Sequence, residues 1–300
     1  MFDFRKIQLS DRERVNACLA VSDLRGCEYC FANNCAWQRL NDTVICFHDD
    51  FYICMAFSGG EPYFVFPSGV RKDAQGKEKL IKLFAELEKF ASAQGHKLVI
   101  CSVLEEDLPW LKEVYGSRIS VKHERSSSDY IYNAKDLIEL SGKKYHGKRN
   151  HIRRFMENEW SFDIMNENDI DEAVLFTTEF YNRTGNSTGS NAIEQYAIHF
   201  FLMNMEQLGL TCGILRSSGR TVGITIGERL NSDTFVVHIE KALSEVNGAY
   251  PMLCNQLAKA GASQLSYINR EEDMGIEGLR KSKLSYHPVF LLDKYTVCFD

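Results

Sequence analysis

The sequence predicts an α/β fold with mixed α+β sheets, built from two similar halves on either side of a basic connector. Three observations predict it. The order helix, antiparallel strands, loop, amphipathic helix, strand, short helix, strand can be read twice along the 300 residues, and self-similarity at a fixed period signals duplication. Hydrophobic residues make up 44% and charged residues 25% of the chain, the balance of a sequence that buries cores. Short β-rich runs bounded by turn residues alternate with longer stretches whose apolar residues recur at i, i+3 and i+4. The halves are placed at residues 1–132 and 165–300, with the connector at 133–164.

The first half opens with a helix over 11–20 and a loop holding Cys27, Cys30 and Cys35. Strands follow at 43–48, 51–57 and 63–66, and Pro67, Ser68 and Gly69 end the last of them. A helix over 77–93 aligns Leu80, Leu83, Phe84, Leu87, Phe90 and Ala91 on one face, and Gly95 is the glycine expected just past a helix end. A strand at 97–103, a short helix at 108–115 and strand-like runs at 119–123 and 130–132 complete the half.

The second half gives helices over 169–184 and 191–208, then strands at 211–216, 221–229 and 234–239 at hairpin spacing. A loop over 243–249 enters a helix that has Pro251 near its start and Gly261 at its close. A strand at 264–269, a short helix at 278–283 and a last strand at 289–296 follow.

A net charge of −6 excludes a wholly basic nucleic-acid surface, so any anion site is a local patch. No apolar run reaches the length of a membrane span, and the start of the chain lacks the apolar core of a signal peptide. A cytoplasmic location is expected, and with it ten cysteines present as mostly buried thiols. The spacing Cys27-x-x-Cys30-x-x-x-x-Cys35 has no nearby fourth ligand, so no metal site is expected there.

Three stretches carry candidate chemistry. In the connector, Lys143, Lys144, Lys148, Arg149, Arg153 and Arg154 gather with His146 and His151 and no acid. As a helix it sets Lys144 and Lys148 on one face and Arg149 and Arg153 on another, a composition suited to phosphate. The second stretch is His238-Ile239-Glu240-Lys241, followed by Asn247-Gly248-Ala249-Tyr250 at a helix start. On a strand, His238 and Glu240 point to one face and Lys241 to the other. The helix start offers free amides to an anion, although Tyr250 stands where an acyl-CoA loop has a small residue. The third runs from Asn269 through Arg270, Glu271, Glu272 and Asp273 to Arg280 and Lys283. Arg280 and Lys283, three residues apart on a helix, can reach one ligand, with Glu271 or Asp273 as base or orienter.

Together these stretches resemble the bacterial proteins that share the C-terminal domain of the phosphatidylglycerol lysyltransferases (DUF2156). The likeness covers nearly the whole chain and includes Gly278-Leu279-Arg280-x-x-Lys283-x-x-Tyr286-x-Pro288. It implies a tandem GNAT-like acyltransferase fold, similar also to the Fem aminoacyltransferases, and transfer of an amino acid from aminoacyl-tRNA. The membrane domain of the lysyltransferases is absent from this sequence, which leaves the acceptor open among a small molecule, a peptide and a lipid headgroup. On this reading Arg280 and Lys283 bind acceptor-end phosphates or the oxyanion, Lys148 and Arg149 hold a phosphate, and Glu240, His238 or Asp273 takes the proton. Lys144, Asn269, Glu271, Lys241, Asn247 and Gly248 line the substrate. Two other readings stand beside it: an acyl-CoA-dependent N-acyltransferase using the turn from Asn247 to Tyr250, and a non-catalytic module that binds an anionic ligand.

Overall fold

In the computed structural model, residues 2–184 and 189–300 are described. The chain forms two units. One comprises Met1–Asp129, Glu272–Gly275 and Leu292–Asp300, the other Tyr130–Glu271 and Ile276–Leu291.

The first unit contains α1 (Arg12–Ser22), α2 (Phe31–Trp37), β1 (Val44–His48), β2 (Phe51–Ser58), β3 (Glu61–Val65), α3 (Ala74–Ala93), β4 (Val99–Leu104), α4 (Leu108–Tyr115) and β5 (Ile119–His123). The second contains β6 (Asp129–Asn133), α5 (Ala134–Glu139), α6 (His146–Phe155), β7 (Trp160–Ile164), α7 (Ile170–Thr184), α8 (Gly189–Met203), α9 (Met205–Leu208), β8 (Thr211–Ser217), β9 (Arg220–Arg229), β10 (Thr234–Ala242), α10 (Ala249–Gly261), β11 (Tyr267–Asn269), α11 (Glu277–Leu284) and β12 (Phe290–Leu292). The last strand, β13 (Lys294–Phe299), returns to the first unit.

The first sheet has the order β1-β2-β3-β4-β13-β5 and the second the order β12-β6-β11-β10-β9-β8-β7. Each is an antiparallel meander joined through one parallel pair, β3 with β4 and β10 with β11. A helix links the two strands of each parallel pair, as such a crossover requires. In the first unit this is α3, started by Asp73, whose carboxylate accepts the Gly76 amide at 2.8 Å. Its buried stripe is Leu80, Leu83, Phe84, Leu87 and Ala91, on the face the sequence predicts.

The sheets exchange strands. β13 lies between β4 and β5 in the first sheet, and β6 lies between β11 and β12 in the second. The boundaries at 132 and 165 are therefore corrected: 133–164 is an integral part of the second unit, and 292–300 belongs to the first. Val297 and Phe299 on β13 are 0% and 2% exposed and complete the first core, with Phe299 set edge-on to Phe84 and Tyr115. Expected strand 289–296 is thus two strands, parted at Asp293 so that each joins a different sheet. The loop expected around the three cysteines contains α2, because Phe31, Ala32, Cys35 and Ala36 bury one helical face.

Cys27, Asp129 and Glu272 bring ligand atoms within 4.8 Å of one another, a spacing that suits a cation. A lysine ammonium stands among them. Lys294 Nζ is 2.7 Å from Asp129, 3.0 Å from Glu28 and 3.6 Å from the Cys27 thiol. Burial opposes its charge, but Asp129, Cys27, Glu28 and Glu272 keep its pKa well above the ordinary lysine value. No helix among the described residues is long and apolar enough to cross a membrane.

Two outcomes follow. Lys294→Met strands buried carboxylates without their cation and should cost about 3–5 kcal/mol in urea unfolding. A chain ending at Leu292 should lose amide protection in β4 and β5 by hydrogen exchange, because both lose their shared partner strand.

Candidate functional site

The candidate site grows from a divergence of two strands in the second unit. β10 and β11 pair in parallel only from Thr234 to Val236, opposite Tyr267 to Asn269. β11 stops there, while β10 continues to Ala242 against β9, with an irregularity between Val237 and Ile239. Polar side chains, rather than a ladder of backbone bonds, span the opening. The turn after β11 supplies them: Asn269 Oδ1 accepts the Glu271 amide at 2.7 Å, and Glu271 takes a left-handed φ of 55°.

Arg270 and Glu240 meet across the opening. Arg270 Nη2 donates to Glu240 Oε1 at 2.8 Å, and the side chains are 9% and 11% exposed. Glu240 Oε2 and Arg270 Nη1 are buried and have no hydrogen-bond partner. A buried donor and acceptor left unmade on two paired side chains are costly unless something supplies the missing bonds. The guanidinium lies 4.6 Å from the ring centre of Tyr286 and 5.7 Å from that of Tyr132, which are 3% and 0% exposed. Lys283 Nζ donates to the Arg270 carbonyl at 2.5 Å and so fixes the backbone that aims the guanidinium.

Lys148, from α6, lies with its Nζ 3.6 Å from the Tyr286 ring centre and donates to Ser285 Oγ at 2.7 Å. Burial, and then the like charge of Arg270, bring its pKa down to about 8. An appreciable fraction of this amine is therefore neutral near physiological pH and able to take a proton. The nearby Cys254 thiol is pushed up to about 12 by burial and is not a nucleophile.

His238 sits at the irregularity in β10, between Glu271 at 2.9 Å from Nδ1 and Glu228 at 3.0 Å from Nε2, and stacks on Phe201. Burial alone would lower an imidazole's pKa, but the two carboxylates outweigh it and raise the value to about 9. The ring is thus an imidazolium donating from both nitrogens at neutral pH. It braces the opening and has no lone pair with which to act as base.

The other predicted residues divide. Asn269 is fully buried in the turn after β11, and Arg280 is half-buried on α11. Lys144 pairs with Asp136 at 3.0 Å, and Arg149 donates to the carbonyls of Leu140 and Gly142, closing the end of α5. Lys241 pairs with Glu194 at 2.8 Å. Asn247 Oδ1 bonds His151 Nδ1 at 2.8 Å. Gly248 has a φ of 86°, and a Cβ there would strike the His151 carbonyl of α6. The start of α10 is thus packed against α6, and the Ala249 amide already donates to Val246 at 3.1 Å. Asp273 belongs to the first unit, where it is fully buried, pairs with Arg125 at 3.3 Å and caps the Gly275 amide at 2.9 Å.

Arg270 and Tyr286 are the residues that sequence reasoning left out of the site. Arg270 lay inside a charged run, where nothing in spacing distinguishes it from its neighbours. Tyr286 was legible only as part of the Gly-Leu-Arg segment.

A family model described as phosphatidylglycerol lysyltransferase, C-terminal, matches residues 19–298. The chain is 36% identical to a conserved protein of unknown function from Bacteroides thetaiotaomicron VPI-5482, covering 100% of both chains with a TM-score of 0.92. It is similar in fold to L-PGS from Bacillus licheniformis, at 16% identity, 96% and 92% coverage and a TM-score of 0.66. It is also similar in fold to FemX, at 9% identity, 98% and 96% coverage and a TM-score of 0.64. The fold is the tandem GNAT-like mixed α/β fold expected from the sequence.

The bracing role of His238 is measurable through pH. Its folded pKa of about 9 lies above the unfolded value of about 6.5, so its contribution to stability is fully present below pH 6.5. That contribution is lost as pH rises through 9, and amounts to roughly 3 kcal/mol. Urea unfolding across this window should show His238→Gln less stable at pH 6, with the gap to wild type closing toward pH 9. A constant gap would place the loss in packing rather than in charge.

Proposed function

We propose that this chain, which belongs to the phosphatidylglycerol lysyltransferase C-terminal family, transfers an aminoacyl group from charged tRNA to an amine or hydroxyl acceptor. One observation supports this reading above the others. At the strand opening of the second unit, a buried guanidinium with a spare N–H stands beside a lysine whose amine is near neutrality. An aminoacyl ester is already activated, so transfer needs positioning, a proton acceptor and a cation at the developing oxyanion.

In the proposed reaction the acceptor's amine or hydroxyl attacks the ester carbonyl. Lys148 takes the proton, and the Arg270 guanidinium faces the oxyanion. The carbon–oxygen bond to the tRNA ribose then breaks, and that oxygen takes the proton back from the Lys148 ammonium, which restores the neutral amine. Lys283 holds Arg270 in place through its carbonyl, and the His238 imidazolium fixes Glu271 on the same turn. Arg280, on α11, is assigned to acceptor-end phosphate. The acyl-CoA reading is less well supported, because packing against α6 closes the helix start from Gly248 that would hold the pyrophosphate. The acceptor is a small molecule, a peptide or a lipid headgroup bearing the attacking group.

A transfer assay with charged tRNA and with acyl-CoA, on wild type and two variants, tests this. With Lys148 as base, kcat/KM should rise with pH and level off above about 8 as the amine of the free protein loses its proton. Lys148→Arg keeps the positive charge but stays protonated, so its turnover should fall about 100-fold or more and lose that rise. Full activity in Lys148→Arg would assign Lys148 to holding phosphate. Arg270→Lys should lower kcat about 100-fold through loss of the oxyanion donor. A wild type inert with every charged tRNA while binding an anionic ligand would leave the non-catalytic reading standing.

A further inference from the structure

We propose, resting on the transferase reading above, that Glu240 Oε2 and Arg270 Nη1 form a subsite for the donor's free α-ammonium and adjoining carbonyl. The protein would then select aminoacyl groups over simple or N-blocked acyl groups. The two atoms are buried and lack partners, and they belong to side chains already joined at 2.8 Å. One can only accept a hydrogen bond and the other can only donate. An aminoacyl group presents the complement: an ammonium donor on the carbon next to a carbonyl acceptor. A plain acyl group satisfies Arg270 and leaves the buried Glu240 oxygen unmade, which is how polar sites reject analogues lacking one group.

The surroundings agree in charge. Glu240 and Arg270 together are neutral, so an arriving ammonium finds a carboxylate oxygen without a net positive field from the pair. Lys148, beside them on the Tyr286 ring, is the neighbour that would repel it. Its pKa is already down to about 8, and a second cation lowers it further, leaving the neutral amine that the transfer step requires. Donor binding and preparation of the base are then one event. Entry needs a side chain to swing aside, and Lys148 is held by one hydrogen bond to Ser285 and one ring face.

The test is calorimetric binding of amino-acid amides and their N-acetyl counterparts as matched pairs, on the full chain. At least one amide should bind, and its N-acetyl partner should bind about tenfold or more weakly. Amide affinity should fall as pH rises through the ligand amine's own pKa. Glu240→Gln should retain binding of the N-acetyl form and abolish the discrimination. Equal affinity within every pair, no binding of any amide, or discrimination that survives Glu240→Gln overturns the proposal. Should Glu240→Gln fail to fold, the wild-type pairs decide alone. The binding result is independent of turnover: a protein that distinguishes the pairs but transfers nothing keeps the subsite and loses the transferase reading.

Discussion

The parting of β10 from β11 is the constraint on which the second unit turns. Past Val236 the parallel ladder stops, and β10 has its hydrogen-bonded neighbour on the β9 side. Side chains from the turn after β11 cross the opening instead: Arg270 reaches Glu240, and Glu271 reaches His238. A buried ion pair is weak evidence for stability, because desolvation offsets most of the Coulombic gain. Apolar residues of similar volume would close such an opening at no greater cost. The charge here, with one donor and one acceptor unused, is the observation on which the proposed subsite rests.

Each unit buries a cation, and the two are satisfied differently. In the first, Lys294 has Asp129 and Glu28 within 3.0 Å and the Cys27 thiol close by, with Glu272 adding negative charge. Its three ammonium hydrogens have acceptors enough. In the second, Arg270 has five donors and one carboxylate oxygen at 2.8 Å. A surplus of acceptors around a lysine makes a locked structural centre. A deficit around an arginine leaves capacity for a guest. Around Lys294 the buried atom left unmade is an acceptor, Glu28 Oε1, whereas at the candidate site both a donor, Arg270 Nη1, and an acceptor, Glu240 Oε2, are left unmade.

The basic connector shows what composition leaves undecided. Six Lys and Arg in one segment read as a phosphate patch. In the fold Arg149 closes the end of α5, Lys144 pairs with Asp136, and Lys148 leans over the Tyr286 ring. These partners are near in sequence for the first two and far for the third. Helical spacing from Lys144 to Lys148 says nothing of which residue turns inward, because that depends on the helix it packs against. α6 meets α10 at Gly248, and the contact at His151 and Phe155 sets its rotation.

Local chemistry wrote several features directly into the sequence. The stripe of α3 and the glycine after it are visible because periodicity and turn residues act over a few positions. The Gly-Leu-Arg segment brought Lys283 and Tyr286 into view. Three things were decided only in the folded chain. β13 and β6 entered each other's sheets, because strand pairing depends on which edge is open and not on neighbours in sequence. Asp273 went to the first unit although it stands two residues after Glu271, in a segment where Glu271 and Met274 both take left-handed φ values that residue type does not announce. Arg270, indistinct within a run of charges, became the centre of the site because only tertiary packing determines which charge is taken out of water, and burial is what makes its unmade hydrogen bond matter.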